Sequence, residues 1–192
     1  MSIAKSLYQG DLVTLAPVDA QNDAELISKW THHTEIMRQW DIDPLQPLSA
    51  WKVTKMLEKM EKEAEEKRNL YYFSIRTLDE KRMVGLVQID WIEWVHGTGR
   101  VKLLIGEAQD QSKGYGEETL RMILNYAFSE LNLYRLSTLI PDYDQATWEM
   151  FNKAGFCEEV RQRQAINRFG QRWDLILMGL LKVEWQASLQ PA

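Results

Sequence analysis

The stretch Gln111-Ser112-Lys113-Gly114-Tyr115-Gly116 lies between an apolar run and a helical pattern, and its residue types say most about chemistry. The run before it, residues 101–105, reads as a short buried strand. Residues 117–131 after it place Leu120, Ile123, Leu124, Ala127, Phe128 and Leu131 at helical spacing. A strand feeding a glycine-bearing turn that opens a helix leaves several backbone N–H groups unpaired and pointing one way. Glycine lets the main chain approach a ligand closely, and a helix N-terminus favours negative charge. The stretch therefore predicts a cradle for a diphosphate, with Lys113 as a cation beside it, although the hexapeptide alone also fits a plain strand-to-helix connection. A phosphate loop of the NTPase kind is set aside, because its glycine-lysine-serine/threonine ending is missing.

The elements that must hold this turn can be read outward from it. Residues 12–16 form a first strand ending at Pro17, and Asn22 or Asp23 caps a helix to about Trp30 with Ala24, Leu26 and Ile27 inward. Residues 31–47 read as a short helical turn and a loop. Ser49 starts the next helix, whose apolar stripe is Val53, Met56, Leu57, Met60 and Ala64. Its charges, three and four apart over residues 58–68, describe a solvated face. Strands at 70–77 and 83–94 form a hairpin, and residues 95–99 turn into the strand before the glycine turn. Downstream come a strand at 135–140, a helix from Asp144 to about Ala154, and strands near 157–166 and 172–181. This order predicts an α/β (α+β) fold, a mixed sheet with helices on both faces. With no repeat or linker, residues 1–192 read as a single domain with its core at about 7–181 and a tail after Trp185 that frays.

Composition narrows the function. A chain of 192 residues, 45% of them hydrophobic, can bury one sizeable core. No stretch approaches the roughly 20 apolar residues of a membrane span, and residues 1–10 do not resemble a signal peptide. The lone Cys157 cannot form an intrachain disulfide, so a cytoplasmic setting is expected, with this thiol packed at the start of a buried strand. A formal net charge of −5 argues against nucleic-acid binding and for attraction of a cationic amine. One cysteine and three histidines give no metal-ligand spacing, so no metal is expected.

The turn, the helix ending Lys153-Ala154-Gly155-Phe156, and the opening Gly10-Asp11-Leu12-Val13-Thr14-Leu15-Ala16-Pro17 with Asp23-Ala24-Glu25-Leu26 and Trp30 behind it together resemble the GNAT superfamily of acyl-CoA-dependent N-acetyltransferases. The resemblance runs over residues 7–181 and looks like the branch containing ribosomal-protein N-terminal and spermidine acetyltransferases. It implies a mostly antiparallel sheet split between two parallel strands, with a pantetheine arm entering the split. Acetyl-CoA is the implied cofactor; a polyamine, an amino-sugar or a protein N-terminus is the implied acceptor; the chain is expected as monomer or homodimer. The resemblance assigns cofactor binding to the backbone of Leu104, Ile105 and Gly106 and to Gln111, Ser112, Lys113, Gly114, Tyr115 and Gly116. A backbone N–H near Leu104 would polarise the thioester carbonyl.

Two positions depart from that pattern. Asp144 stands where the family commonly has an asparagine near the pantetheine, and Phe151 stands where it often has a tyrosine that protonates the leaving thiolate. Tyr143 and Tyr115 are possible substitutes. Arg100 and Lys102 begin the strand where a family base often lies, which leaves Asp90 and Glu93 as candidate bases. Strand alternation points those two to opposite faces. Glu107 is a further possibility with a structural cast. For the acceptor, the resemblance points to Glu35, Trp40, Asp41, Trp91 and Trp94, since aromatic faces beside carboxylates suit a protonated amine. Two readings result: a transferase, or a binding protein that senses acyl-CoA.

Overall fold

The computed structural model describes residues 7–40, 42 and 45–189. Its strands are β1 (Val13–Ala16), β2 (Tyr71–Thr77), β3 (Met83–Glu93), β4 (Thr98–Ile105), β5 (Arg135–Pro141), β6 (Cys157–Arg168) and β7 (Gln171–Leu181). They form one sheet in the order β1-β2-β3-β4-β5-β7-β6. Every neighbouring pair is antiparallel except β4 and β5, which are parallel. The helices are α1 (Ala24–Thr31), α2 (Thr34–Trp40), α3 (Ala50–Lys67), α4 (Ala108–Gln111), α5 (Tyr115–Asn125), α6 (Gln145–Lys153) and α7 (Lys182–Ser188), and a π turn, Tyr126–Glu130, continues α5. The mixed, mostly antiparallel sheet with helices on both faces is the expected α/β architecture.

Local chemistry explains the elements around the site. Ser49 Oγ accepts the Lys52 N–H at 3.3 Å and starts α3, whose inner face buries Val53 and Leu57. The stripe of α5 buries Leu120, Ile123 and Leu124 in one core with Leu103 and Ile105. The other face of the sheet carries a second core, where Trp30, Ile27, Val53 and Leu57 meet Leu104. Successive residues of β4 thus serve opposite cores, which is why that strand reads as an unbroken apolar run.

Two expectations fail. The tail does not fray directly after Trp185: α7 extends to Ser188, and Trp185 lies buried with its ring centroid 5.2 Å from that of Phe128. Glu184 Oε2 accepts the Leu181 N–H at 2.8 Å and fixes the start of that helix. Cys157 is exposed, not packed. It opens β6, an edge strand whose residues 157–165 are all exposed, so the burial expected at the start of that strand is absent.

The sheet comes apart at its parallel pair. β4 and β5 are in register only at Thr98–Arg135, Gly99–Leu136 and Arg100–Ser137. Beyond this, β4 stays on β3 as far as Ile105, while β5 stays on β7 as far as Pro141. Two strand edges therefore face each other across a widening gap. Pro141 sits at the wide end. The N–H of neighbouring Asp142 bonds to Asp174 on the β7 side at 3.1 Å, so by alternation Pro141 faces the gap. A proline has no N–H to leave unpaired there.

Candidate active site

The glycine turn presents the predicted donors. Gly114 adopts φ 79° at the N-cap of α5, a left-handed conformation suited to glycine. Among the described residues, the amides of Gly114, Tyr115, Gly116 and Glu117 meet no acceptor. Gly116 packs closely as well, since a Cβ there would lie 2.9 Å from Met150 Sδ and that side chain would have to move aside. Of the two first-turn carboxylates, Glu117 is exposed and the buried Glu118 is turned away from these donors. Glu118 accepts the N–H groups of Asp11 at 2.7 Å, Leu12 at 2.7 Å and Val13 at 2.8 Å.

Lys113 belongs to a fixed network. Its Nζ lies 2.9 Å from Oδ1 of the fully buried Asp110, whose Oδ2 takes Arg82 Nη1 at 2.8 Å. The Arg82 guanidinium, with Lys113 helping, holds the Asp110 carboxyl below the usual carboxylate range. Ser112 is exposed, and Tyr115 packs against the α5 core with Lys113 Nζ 5.9 Å from its ring centroid. Gln111 Nε2 reaches the Ile105 carbonyl at 3.4 Å. Gly106 is needed by Trp30, because a Cβ would lie 2.1 Å from that indole, and Trp30 Nε1 donates to Glu107 Oε1 at 3.2 Å. Glu107 is thus occupied structurally.

The expected donor at Leu104 points the wrong way. Gly106 N–H bonds Val84 O at 2.9 Å, and β4 pairs with β3 in unbroken register from Arg100 to Ile105. By alternation, both main-chain polar groups of Leu104 face β3, consistent with its carbonyl oxygen lying against Gly85. The groups facing the split are those of Val101, Leu103 and Ile105.

Inside the split lies a slot of about 40 Å³, with Leu103 on one wall and Thr138, Asp144, Thr147 and Phe151 on the other. Asp144 caps α6 by accepting the Thr147 N–H at 3.2 Å through Oδ1, while its buried Oδ2 has no partner. Burial pushes its carboxyl above the usual range. Phe151 packs edge-on to Phe156 and brings no proton to this wall. Tyr143 sits outside it, in edge contact with Phe169 and Trp173.

The candidate bases are corrected in two respects. Asp90 is bonded to Arg100 at 2.8 Å through each oxygen and also accepts Gln88 Nε2 at 2.8 Å, so it is no free base. A bulge with Trp91 at φ 51° interrupts β3 between Asp90 and Glu93, and this overturns the alternation argument. Both carboxylates border one shallow recess beside α3, away from the split.

The acceptor residues divide similarly. Trp40 borders the split, whereas Glu35 is exposed at the start of α2. Trp91 is exposed, with Arg100 5.1 Å from its ring centroid, and Trp94 donates to Arg68 O at 2.8 Å. Neither lines the split. Asp41 falls outside the described residues. The sequence reading missed Arg38, Thr138 and Thr147, which border the slot. Thr147 lies three residues after the Asp144 cap and Thr138 is a polar residue on the buried face of β5 with Leu136 and Ile140, signals that become useful only once the split is known.

No helix among the described residues is long and apolar enough to cross a membrane. A family model described as an acetyltransferase (GNAT) domain matches residues 13–157. A probable N-acetyltransferase, YjcK, of Bacillus subtilis (strain 168) is 27% identical over 131 residues, covering 68% of this chain and 69% of its own. The spermidine N(1)-acetyltransferase of Escherichia coli (strain K12) is 24% identical over 176 residues, 92% of this chain and 89% of that protein. Among solved structures, a spermidine N-acetyltransferase from Vibrio cholerae, in complex with CoA and spermine, superposes with a TM-score of 0.78 at 19% identity, over 92% of this chain and 99% of that one.

Proposed function

This chain belongs to the acetyltransferase (GNAT) domain family, and on that premise we propose that it moves an acetyl group from acetyl-CoA to a primary amine. The observation that carries the reading is the pairing of four free amides at the start of α5 with a sheet split whose facing edges lack ladder partners. Amides of Gly114, Tyr115, Gly116 and Glu117 suit a diphosphate at the positive end of a helix dipole. The orphaned Oδ2 of Asp144 and the polar edges of the split suit an amide-bearing arm that would otherwise have to shed its hydrogen bonds. These features fit coenzyme A.

Bound acetyl-CoA supplies an acyl group on sulfur, activated toward amines. The chain's part is to place it and steady it. Holding two reactants together is worth about 7–11 kcal/mol. The N–H groups of Leu103 and Ile105 face the split and serve as donors to the thioester oxygen, worth about 2.7–4 kcal/mol for a well-aimed group. Asp90 is tied up by Arg100 and Gln88 and lies away from the split, which leaves a water relay carrying the amine proton out to solvent as the route this reading uses. Two of the relatives above are named for spermidine, which supports an amine acceptor and the polyamine side of the branch that the sequence resembles. A cytoplasmic setting fits the single cysteine.

A second reading, an acyl-CoA-binding protein without turnover, draws on Phe151 and on the occupied Asp90. Melting curves with and without millimolar acetyl-CoA test both readings. A rise in Tm is expected, and Gly114→Val, which strains a left-handed position, should abolish it while leaving the fold intact. An unchanged Tm for the native chain overturns both. Release of free thiol with a panel of amines then separates enzyme from sensor, because a sensor releases none above hydrolysis.

A further inference from the structure

Asp144 carries more than a helix cap requires. An asparagine would accept the Thr147 N–H equally well, without the penalty of burying an ionisable group. Yet Asp144 is only 7% exposed, with Oδ1 on that N–H at 3.2 Å and Oδ2 buried without a partner. Thr147 and Phe151 follow it by three and seven residues, so all three share one stripe of α6. That stripe borders the slot across from Leu103, and a slot of about 40 Å³ has room for only about three waters. A thioester drawn to the Leu103 N–H therefore comes within reach of Asp144. Its neighbours on this wall offer no acid: Phe151 has no acidic hydrogen, and the hydroxyls of Thr138 and Thr147 hold theirs too tightly.

We infer that Asp144 is the acid of this site, giving its Oδ2 hydrogen to the sulfur of coenzyme A as the thioester breaks. The inference rests on the transferase reading above and sets the sulfur end of the arm at that atom. The amine nitrogen bonds to the carbonyl carbon, and charge collects on the oxygen that the amides of Leu103 and Ile105 face. The C–S bond then breaks, the sulfur takes the hydrogen, and the amine's extra proton leaves to water. Asp144, left as a carboxylate, regains a proton from water before the next turnover, so the products are an amide and a free thiol. Burial favours the protonated carboxyl and outweighs the bonds from Thr147, which favour the charged form. Arg38 on α2 and Arg100 and Lys102 on β4 border the same slot, and Asp142 and Tyr143 precede Asp144 in the chain. Arg100 is held by Asp90 at 2.8 Å. A cation turned onto Asp144 would keep it charged, which its pH profile would reveal.

The test measures kcat and KM for acetyl-CoA and for its oxygen-ester analogue, in the native chain and in Asp144→Asn. The acceptor is whichever of spermidine, 2-phenylethylamine and hydroxylamine releases most thiol. The native kcat should fall as pH rises through the raised value of Asp144, because the acid then has no hydrogen to give. Asp144→Asn, which keeps the cap, should erase that limb and lower kcat about 10²-fold, the low end for a positioned acid. KM for acetyl-CoA and its shift in Tm should not change. The loss should be at least about tenfold larger with the oxygen ester, since an alkoxide needs the proton more than a thiolate does. A loss confined to KM makes Asp144 a contact for the arm and overturns the inference. Equal losses for the two esters, or a falling limb that survives in Asp144→Asn, overturn it as well. Should acetyl-CoA raise Tm while no amine is turned over, the transferase reading fails separately. The infrared band of the neutral carboxyl, absent in Asp144→Asn, then decides whether the hydrogen faces the sulfur. A shift with coenzyme A that its desulfo analogue does not produce upholds that contact, and the same band with both overturns it.

Discussion

At the scale of single residues, the site is decided by which polar atoms are already engaged. Asp144 has one oxygen on the cap of α6 and one buried without a partner, and burial raises its carboxyl's affinity for a proton. The folded chain therefore keeps a proton that the unfolded chain has released once pH passes about 4. Stability from this group is lost as pH climbs from there through the raised native value. Asp144→Asn keeps the capping acceptor and removes the titration. Its Tm advantage over the native chain should grow across that window and then stay constant, whereas an offset equal at about pH 3 and about pH 7 would refute the assignment. Asp110 behaves oppositely, since Arg82 lowers its native value and its contribution disappears only in acid. Asp90 shows why residue type alone misleads: nothing in the sequence says that Arg100 lies across from it, because that depends on the register of β3 on β4.

At the scale of elements, the turn was legible and its supports were not. Two glycines, a preceding apolar run and a following helical stripe were enough to place the start of α5. The engagement of Glu118 with the amides of Asp11, Leu12 and Val13 links residues more than a hundred positions apart, and no local pattern encodes it. Gly10 belongs to the same arrangement, since a Cβ there would lie 2.4 Å from the Glu118 carboxyl carbon. Glu118→Gln trades charge-assisted bonds for weaker ones and an unwanted donor. The expected loss is about 2 kcal/mol in urea unfolding, with faster hydrogen exchange at Leu12 and Val13; unchanged exchange there would show that the carboxylate does not hold this segment. The bulge at Trp91 was equally invisible. A β-branched or aromatic run reads as regular strand until a positive φ interrupts it, and that interruption placed Asp90 and Glu93 on one side. Direction was the other blind spot: the strand bearing Leu104 was found, but which edge its amide faces follows only from the Gly106–Val84 bond.

At the scale of the molecule, the order of strands and helices in the sequence was sufficient for the architecture, because both buried faces of β4 and the amphipathic stripes of α3 and α5 admit few other packings. The ends were not readable in this way. Polar residues after Trp185 suggested fraying, yet one indole against Phe128 fastens α7 to the core. Trp185→Ala should cost about 3 kcal/mol, measured as a fall in the unfolding midpoint, and a fall no larger than that of an exposed substitution would mean α7 is dispensable. The seam between β4 and β5 has the widest consequence. Only three register pairs stitch the leaf made of β1 to β4 to the leaf made of β5, β7 and β6. Each leaf is internally well paired, and beyond that short hem the two are joined through the side-chain core beneath them and not through the ladder. A guest that bonds to both bare selvedges supplies the missing stitches, and the protein stiffens by the same act that captures it.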